Sequence, residues 1–251
     1  MKLLITGLNG TVAPWVRSEA ASRGWDVVGW DRNAVAPANE VAALAFLRAE
    51  APDAIVHLAM GPESWAGQLA GFARLHGAHM VFVSTAMVFD ASSVGPHRPH
   101  DPRTAKDDYG QYKIRCEDAV LSACPSATVA RIGWQIAPDA LGNNMLRHLD
   151  EQQARDGRIR ASSAWRPACS FMTDTAAALC DLVQEGTGGP VHLDSNASDA
   201  LSFDQLVQLL RAKYQRGWVV EVTQDYVHDQ RLVNESGGSM LPPLSIHLAA
   251  R

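Results

Sequence analysis

Short apolar runs alternate along this chain with longer stretches whose apolar residues recur at helical spacing. Lys2–Thr6, Asp26–Trp30, Ala54–Leu58, Met80–Ser84 and Ala127–Arg131 have strand length and are rich in Val, Ile and Leu. Between them, Val12–Arg23, Asn39–Glu50, Glu63–His76 and Asp108–Ala123 carry a helical pattern. Such alternation predicts an α/β fold: a Rossmann-like, doubly wound parallel sheet covered on both faces. The turns after Thr6, Trp30, Leu58 and Ser84 should then open on one crevice at the strands' C-terminal ends.

After Arg131 the pattern loosens. It predicts helices over Asn144–Arg155, Thr173–Gln184 and Ser202–Tyr214, and strands over Arg158–Arg160, Val191–Leu193 and Trp218–Val222. The tail Asp225–Arg251 carries Gly237-Gly238 and Pro242-Pro243 and reads as mostly irregular. The expected organisation is a nucleotide-binding domain over 1–136, with part of 168–195 returning to it. A small C-terminal lobe over 137–251 is expected to bind substrate.

Thr6-Gly7-Leu8-Asn9-Gly10-Thr11-Val12-Ala13 joins the first strand to the first helix. Gly7 permits the tight turn, Gly10 lets a pyrophosphate approach the backbone, and Ala13 is small enough for helix–strand packing. The helix N-terminus would face the phosphates with unpaired N–H groups. The second strand ends at Trp30-Asp31-Arg32. A carboxylate there accepts hydrogen bonds from ribose hydroxyls and favours NAD, whereas an arginine pairs with a 2′-phosphate and favours NADP. Asp31 sits at the strand end itself, so the expectation leans to NAD.

Tyr109 and Lys113 lie four residues apart, on one face of a helix. An ammonium beside a phenol favours phenolate, so Lys113 is expected to lower the Tyr109 pKa and fit it for proton transfer. Tyr112 points to another face and is expected to tolerate phenylalanine. Ser84-Thr85 closes the fourth strand at the crevice.

Composition narrows the classes. The chain has 251 residues, 47% hydrophobic and 20% charged, enough for a sizeable core. A net charge of -5 argues against a phosphate-backbone binder, so no nucleic-acid partner is expected. No apolar run approaches the ~20 residues of a membrane span, and Met1–Gly7 reads as the first strand, not a leader. The four cysteines, Cys116, Cys124, Cys169 and Cys180, form no Cys-x-x-Cys pair. They read as reduced thiols of a cytoplasmic protein with no metal site. His97-x-x-His100-Asp101 lies in a proline-rich segment and reads as a solvated loop.

With these pieces placed, the chain resembles the extended short-chain dehydrogenase/reductase superfamily. Within it, the chain looks closest to the dTDP-4-dehydrorhamnose reductase-like and sugar-nucleotide epimerase group. Leu3–Ala13, Pro52–Ala59, Gly77–Asp90, Asp107–Glu117, Ala130–Trp134 and Gly142–Met145 carry the likeness. Weaker echoes are Arg166–Leu179 and Gly188–Leu210. The resemblance implies an NAD(P)-dependent oxidoreductase or epimerase acting on a nucleotide-sugar or similar carbonyl/hydroxyl substrate. It implies Tyr109 as general acid/base, Thr85 as the hydroxyl on the substrate oxygen, and Lys113 as the residue holding the nicotinamide ribose. Gly7, Asn9, Gly10, Thr11, Val12, Asp31, Arg32, Leu58, Ala59 and Met60 would join Tyr109 and Lys113 around the cofactor. Ala86, Trp134, Asn144 and Arg166 would meet substrate. Arg147, Arg158 and Arg160 could also reach a diphosphate. Family dimers pair two helices per subunit, here Glu63–His76 and Asp108–Ala123, so a homodimer is expected.

The chain also departs from the pattern. The segment after Leu58-Ala59 is shortened, and the family's usual asparagine falls near Pro62. Ala86-Met87 stands where sugar-nucleotide dehydratases carry an acidic pair, which argues against dehydration. The lobe is short for a full nucleotide-sugar pocket. Two other readings therefore stand beside the enzyme: a non-catalytic NAD(P)-binding sensor, and a reductase of a small non-nucleotide metabolite.

Overall fold

The computed structural model describes residues 1–92, 94–138 and 142–248. In chain order the strands are β1 Lys2–Thr6, β2 Asp26–Gly29, β3 Ala54–His57, β4 His79–Thr85, β5 Thr128–Ile132, β6 Trp134–Ile136 and β7 Ile159–Ser162. There follow β8 Trp165–Arg166, β9 Cys169–Phe171, β10 Gly189–Leu193, β11 Val220–Thr223 and β12 His228–Asp229. The helices are α1 Ala13–Ser22, α2 Glu40–Glu50, α3 Glu63–His76, α4 Asp108–Ala123, α5 Met145–Asp156, α6 Met172–Glu185, α7 Asn196–Asp199, α8 Phe203–Lys213 and α9 Ser245–Leu248. The described residues divide into two compact units. One comprises 1–88, 106–131 and 176–191; the other comprises 89–105, 132–175 and 192–251.

The first unit is built on a six-stranded sheet in the order β10-β5-β4-β3-β1-β2. β2, β1, β3 and β4 pair in parallel register, Leu4 standing beside Val28 and Ile55. β1 connects outward to β2, while β3 lies on its other side. The direction of winding therefore reverses between β1 and β3, which is where a ligand crevice forms in such a sheet. Leu4, Ile55 and Phe82 of the sheet pack with Trp65, Leu69 and Phe72 of α3 and Cys116 and Val120 of α4. Local chemistry sets the helix starts. Asn39 accepts from Ala42 N at 3.1 Å to open α2, and Asp107 accepts from Gly110 N at 2.9 Å to open α4.

Short parallel pairs make up the second unit: β6 with β9, β7 with β11, and β8 with β12. Its core is Ile136, Leu146, Leu149, Ile159, Phe171, Phe203, Leu206, Leu210 and Trp218. The fully buried Asp194 carboxylate ties three segments together by accepting from Cys169 N, Asn196 N and Leu232 N. Burial pushes its pKa up to about 7 against the pull of those bonds.

Two expectations change. The segment 89–105 and strand β6 fall in the second unit, not in the nucleotide-binding domain drawn to residue 136, since β6 pairs with β9. The tail is mostly irregular, as its glycines and prolines suggested, apart from β12 paired with β8 and α9, which packs Leu248 into the second core. His97 is buried, not solvated: its ring stacks on Phe89 at 4.3 Å and its backbone bridges to Leu232. No helix among the described residues is long and apolar enough to cross a membrane.

Candidate active site

β1 ends at Thr6, whose buried hydroxyl is a hub. It lies 2.7 Å from His57 Nδ1 and accepts from Leu58 N at 3.0 Å and Ala59 N at 3.1 Å. With both amides donating, the hydroxyl's own proton goes to His57. Burial first, and the positive charges of Lys113 and Arg32 after it, hold that imidazole down at about 3, so it stays neutral and accepts. The ends of β1 and β3 are thereby fixed at the switch point.

Gly7 follows in a left-handed conformation, φ 79°, and a Cβ there would meet Ala59 N at 3.1 Å. Both facts favour glycine. Gly10 N closes the turn on Gly7 O at 2.7 Å. α1 then starts with no side chain capping it and with Pro14 in its first turn. A glycine turn running into a helix N-terminus with no side-chain cap suits a pyrophosphate, so the residues present fit a dinucleotide. Asn9 is exposed and Thr11 and Val12 half-buried beside it, while Leu58, Ala59 and Met60 line the exit from β3. Asp31 is exposed and uses Oδ1 to accept from Asn33 N at 2.9 Å. Arg32, also exposed, is near enough to act on His57.

Thr85 ends β4, and Tyr109 opens the first turn of α4. The Thr85 side chain is near enough to act on the Tyr109 phenol, and Thr85 Oγ1 accepts from Met87 N at 3.2 Å. Tyr109 as a residue remains 40% exposed. Its pKa is raised, first by desolvation and secondarily by Asp107, while the Thr85 side chain works the other way. The expectation that Lys113 lowers it is corrected. Lys113 turns into the sheet, where its ammonium donates to Val83 O at 2.9 Å and sits 4.9 Å from the Phe82 ring centre. Burial lowers the lysine to about 8, against the support of Cys116 and Glu117.

Sequence reasoning missed two further features. Glu117 lies one turn after Lys113 on α4 and forms a buried ion pair with Arg131 of β5, at 2.8 Å. Ser84 of β4 donates to the same carboxylate at 2.5 Å. The four-residue spacing from Lys113 was the available signal. A buried pair broken from one side costs roughly 3–5 kcal/mol, so this link holds α4 against β4 and β5 firmly. The second feature is Tyr112, read as a bystander, whose hydroxyl accepts from Gly61 N at 3.1 Å and donates to Gly61 O at 2.8 Å.

Of the expected substrate residues, Ala86 is buried in the first unit, at the start of a 3-10 turn after Thr85. Trp134, Asn144 and Arg166 belong to the second. Asn144 is buried there and caps α5 by accepting from Arg147 N at 3.2 Å. Trp134 is half-buried among Trp165, Phe203 and His148. Arg147, Arg158 and Arg160 each form an exposed pair, with Glu151, Glu221 and Asp225 respectively. Such pairs contribute little to stability. Among the described residues no cluster of three or more metal-ligating side chains occurs.

The RmlD substrate binding domain family matches residues 63–201, more than half of the chain. A dTDP-4-dehydrorhamnose reductase of Mycobacterium tuberculosis is 27% identical over 226 residues, covering 81% of this chain and 73% of that protein. The structure of a Bacillus anthracis dTDP-4-dehydrorhamnose reductase, in complex with NADP, superposes with a TM-score of 0.81 at 16% identity. It covers 98% of this chain and 96% of that one. The Bordetella bronchiseptica enzyme WbmH, in complex with NAD+, gives 0.77 at 18% identity, with 99% and 96% covered. At those identities the two structures speak for the fold.

Proposed function

Because the chain belongs to the family of the RmlD substrate binding domain, within the dTDP-4-dehydrorhamnose reductase-like extended short-chain dehydrogenases, we propose that it is an NAD(P)-dependent reductase of a nucleotide-sugar ketone. The observation that carries the reading is the Thr85–Tyr109 hydroxyl pair on the same unit as the Gly7–Val12 turn. The relative's name supplies the substrate class, a dTDP-linked 4-keto-6-deoxy sugar.

A reduced nicotinamide, when bound, supplies hydride to the carbonyl carbon. The chain does the rest. Thr85 and Tyr109 present two hydroxyls to the carbonyl oxygen, and Tyr109 gives that oxygen its proton. A phenol whose pKa is raised stays protonated at neutral pH, which suits a donor and therefore the reductive direction. Lys113, with three ammonium donors and one of them on Val83 O, is the group to hold the ribose. The Glu117–Arg131 link keeps its helix in place.

Lys113 sets a pH dependence. Its pKa of about 8 leaves it charged below that value and neutral above it. Dinucleotide affinity is therefore expected to fall as pH rises through about 8. The Lys113→Met variant should bind more weakly and show no such step. A step of the same size in that variant would assign it to another group.

On cofactor choice we infer a modest preference for NAD, set by the exposed Asp31 carboxylate. Thermal unfolding with each dinucleotide tests it: at ~100 times the dissociation constant a ligand stabilises by about 2.7 kcal/mol. Asp31→Ala should improve NADP(H) binding relative to NAD(H). A wild type that binds NADPH at least ~10-fold tighter, about 1.4 kcal/mol, would give the choice to Arg32. We further propose a homodimer, to be checked by light scattering, and a cytoplasmic location, for which the four free, buried cysteines speak.

A further inference from the structure

We propose that Tyr112 is a positioning residue for the dinucleotide crevice, clamping the Leu58–Pro62 segment to helix α4 through both polar groups of Gly61. This rests on the reading of the crevice given above.

Five residues, Leu58 to Pro62, connect β3 to α3 at the switch point of the sheet. Their two ends are held in different ways. The Thr6 hydroxyl accepts from Leu58 N and Ala59 N. Four residues from β3, the Tyr112 hydroxyl takes the N–H of Gly61 and gives its own proton to the Gly61 carbonyl. One hydroxyl thus satisfies the donor and the acceptor of a single peptide residue, which leaves that residue little freedom. Gly61 is also pressed from the side, since a Cβ there would stand 2.7 Å from the Trp65 ring. Trp65 is 1% exposed and packs edge-on against His57 at 4.7 Å, and His57 meets Thr6. A continuous chain of contacts therefore runs from Tyr112 through Gly61, Trp65 and His57 back to Thr6. Between the two holds, Met60 is left 44% exposed, directed outward at the end of β3.

Tyr112 differs in kind from Tyr109, three residues before it. Burial pushes its phenol up to about 12, so it remains a neutral donor through any ordinary assay range. Its position on α4, next to Lys113 and one turn beyond Tyr109, makes the wall of the cofactor crevice and the acid/base helix one mechanical piece. A role in the proton step is not part of the proposal.

Tyr112→Phe keeps the ring and removes only the clamp. Losing this hold on Gly61, with water partly replacing the two hydrogen bonds, is expected to cost roughly 5- to 20-fold in affinity. The variant should raise the dissociation constant and KM for dinucleotide by that factor and keep kcat at saturating cofactor. The pH profile should be unchanged. Hydrogen exchange of the ligand-free variant should be faster at the Gly61 amide and unaltered in β1. Unchanged affinity together with unchanged Gly61 exchange overturns the proposal, and so does a loss of kcat at constant KM. A wild type that binds neither NADH nor NADPH overturns the reading of the crevice instead, which is a separate result.

Discussion

Tyr109→Phe is expected to lower turnover by roughly 10²–10⁴-fold while leaving dinucleotide binding intact. The substitution removes one oxygen and preserves the ring. That oxygen belongs to Tyr109, the more exposed residue of the Thr85–Tyr109 pair, and its proton is the one to be given to a carbonyl oxygen beside it. Thr85 keeps its bond from Met87 N and still marks the oxygen's place, so the residual rate reflects positioning without proton transfer. The loss should appear in kcat and kcat/KM alike, the signature of an interaction made in the transition state. Near-wild-type turnover would show that another group supplies the proton.

Gly10→Val is expected to abolish dinucleotide binding. A Cβ at Gly10 would stand 3.0 Å from Gly7 O, the acceptor that Gly10 N already holds at 2.7 Å. The branched carbons beyond it would project from the turn at the mouth of α1, where the pyrophosphate is to lie. Thermal unfolding reads the effect. The wild type should gain about 2.7 kcal/mol at ~100 times its dissociation constant, and the variant nothing. Circular dichroism and urea unfolding establish that the variant is folded. A folded variant that binds as tightly as the wild type would move the cofactor away from this turn.

The sheet of the first unit was legible because each strand is short, apolar and bounded by a turn. β1 and helices α3 and α4 coincide with their sequence patterns to the residue. β6, β8, β9 and β12 were not legible. Each has two or three residues, and only pairing with a distant segment makes it a strand. The candidate site was readable where spacing or a glycine turn carries the information, as at Gly7, Gly10 and the Tyr109 helix. It was opaque where a long side chain chooses among distant partners. Lys113 shares a helical face with Tyr109, yet its ammonium finds the Val83 carbonyl in a buried environment, and the Tyr109 pKa is raised by desolvation where a lowering was expected. Tyr112 looked idle because nothing in its neighbourhood announces Gly61, 51 residues earlier. His97 sits among prolines like a surface residue, but Phe89 and the Leu232 bridge bury it.

The central claim is that the first unit holds a dinucleotide and spends it on a carbonyl. Its most direct test is a single-turnover experiment with the full chain pre-loaded with reduced dinucleotide, NADH and NADPH in turn, and then mixed with dTDP-4-dehydrorhamnose. The account predicts that reduced nicotinamide absorbance decays by one equivalent per bound site in the wild type. In Tyr109→Phe the same decay should be slowed by roughly 10²–10⁴-fold. Tight dinucleotide binding with no decay in the wild type would contradict it and leave the chain a binding protein.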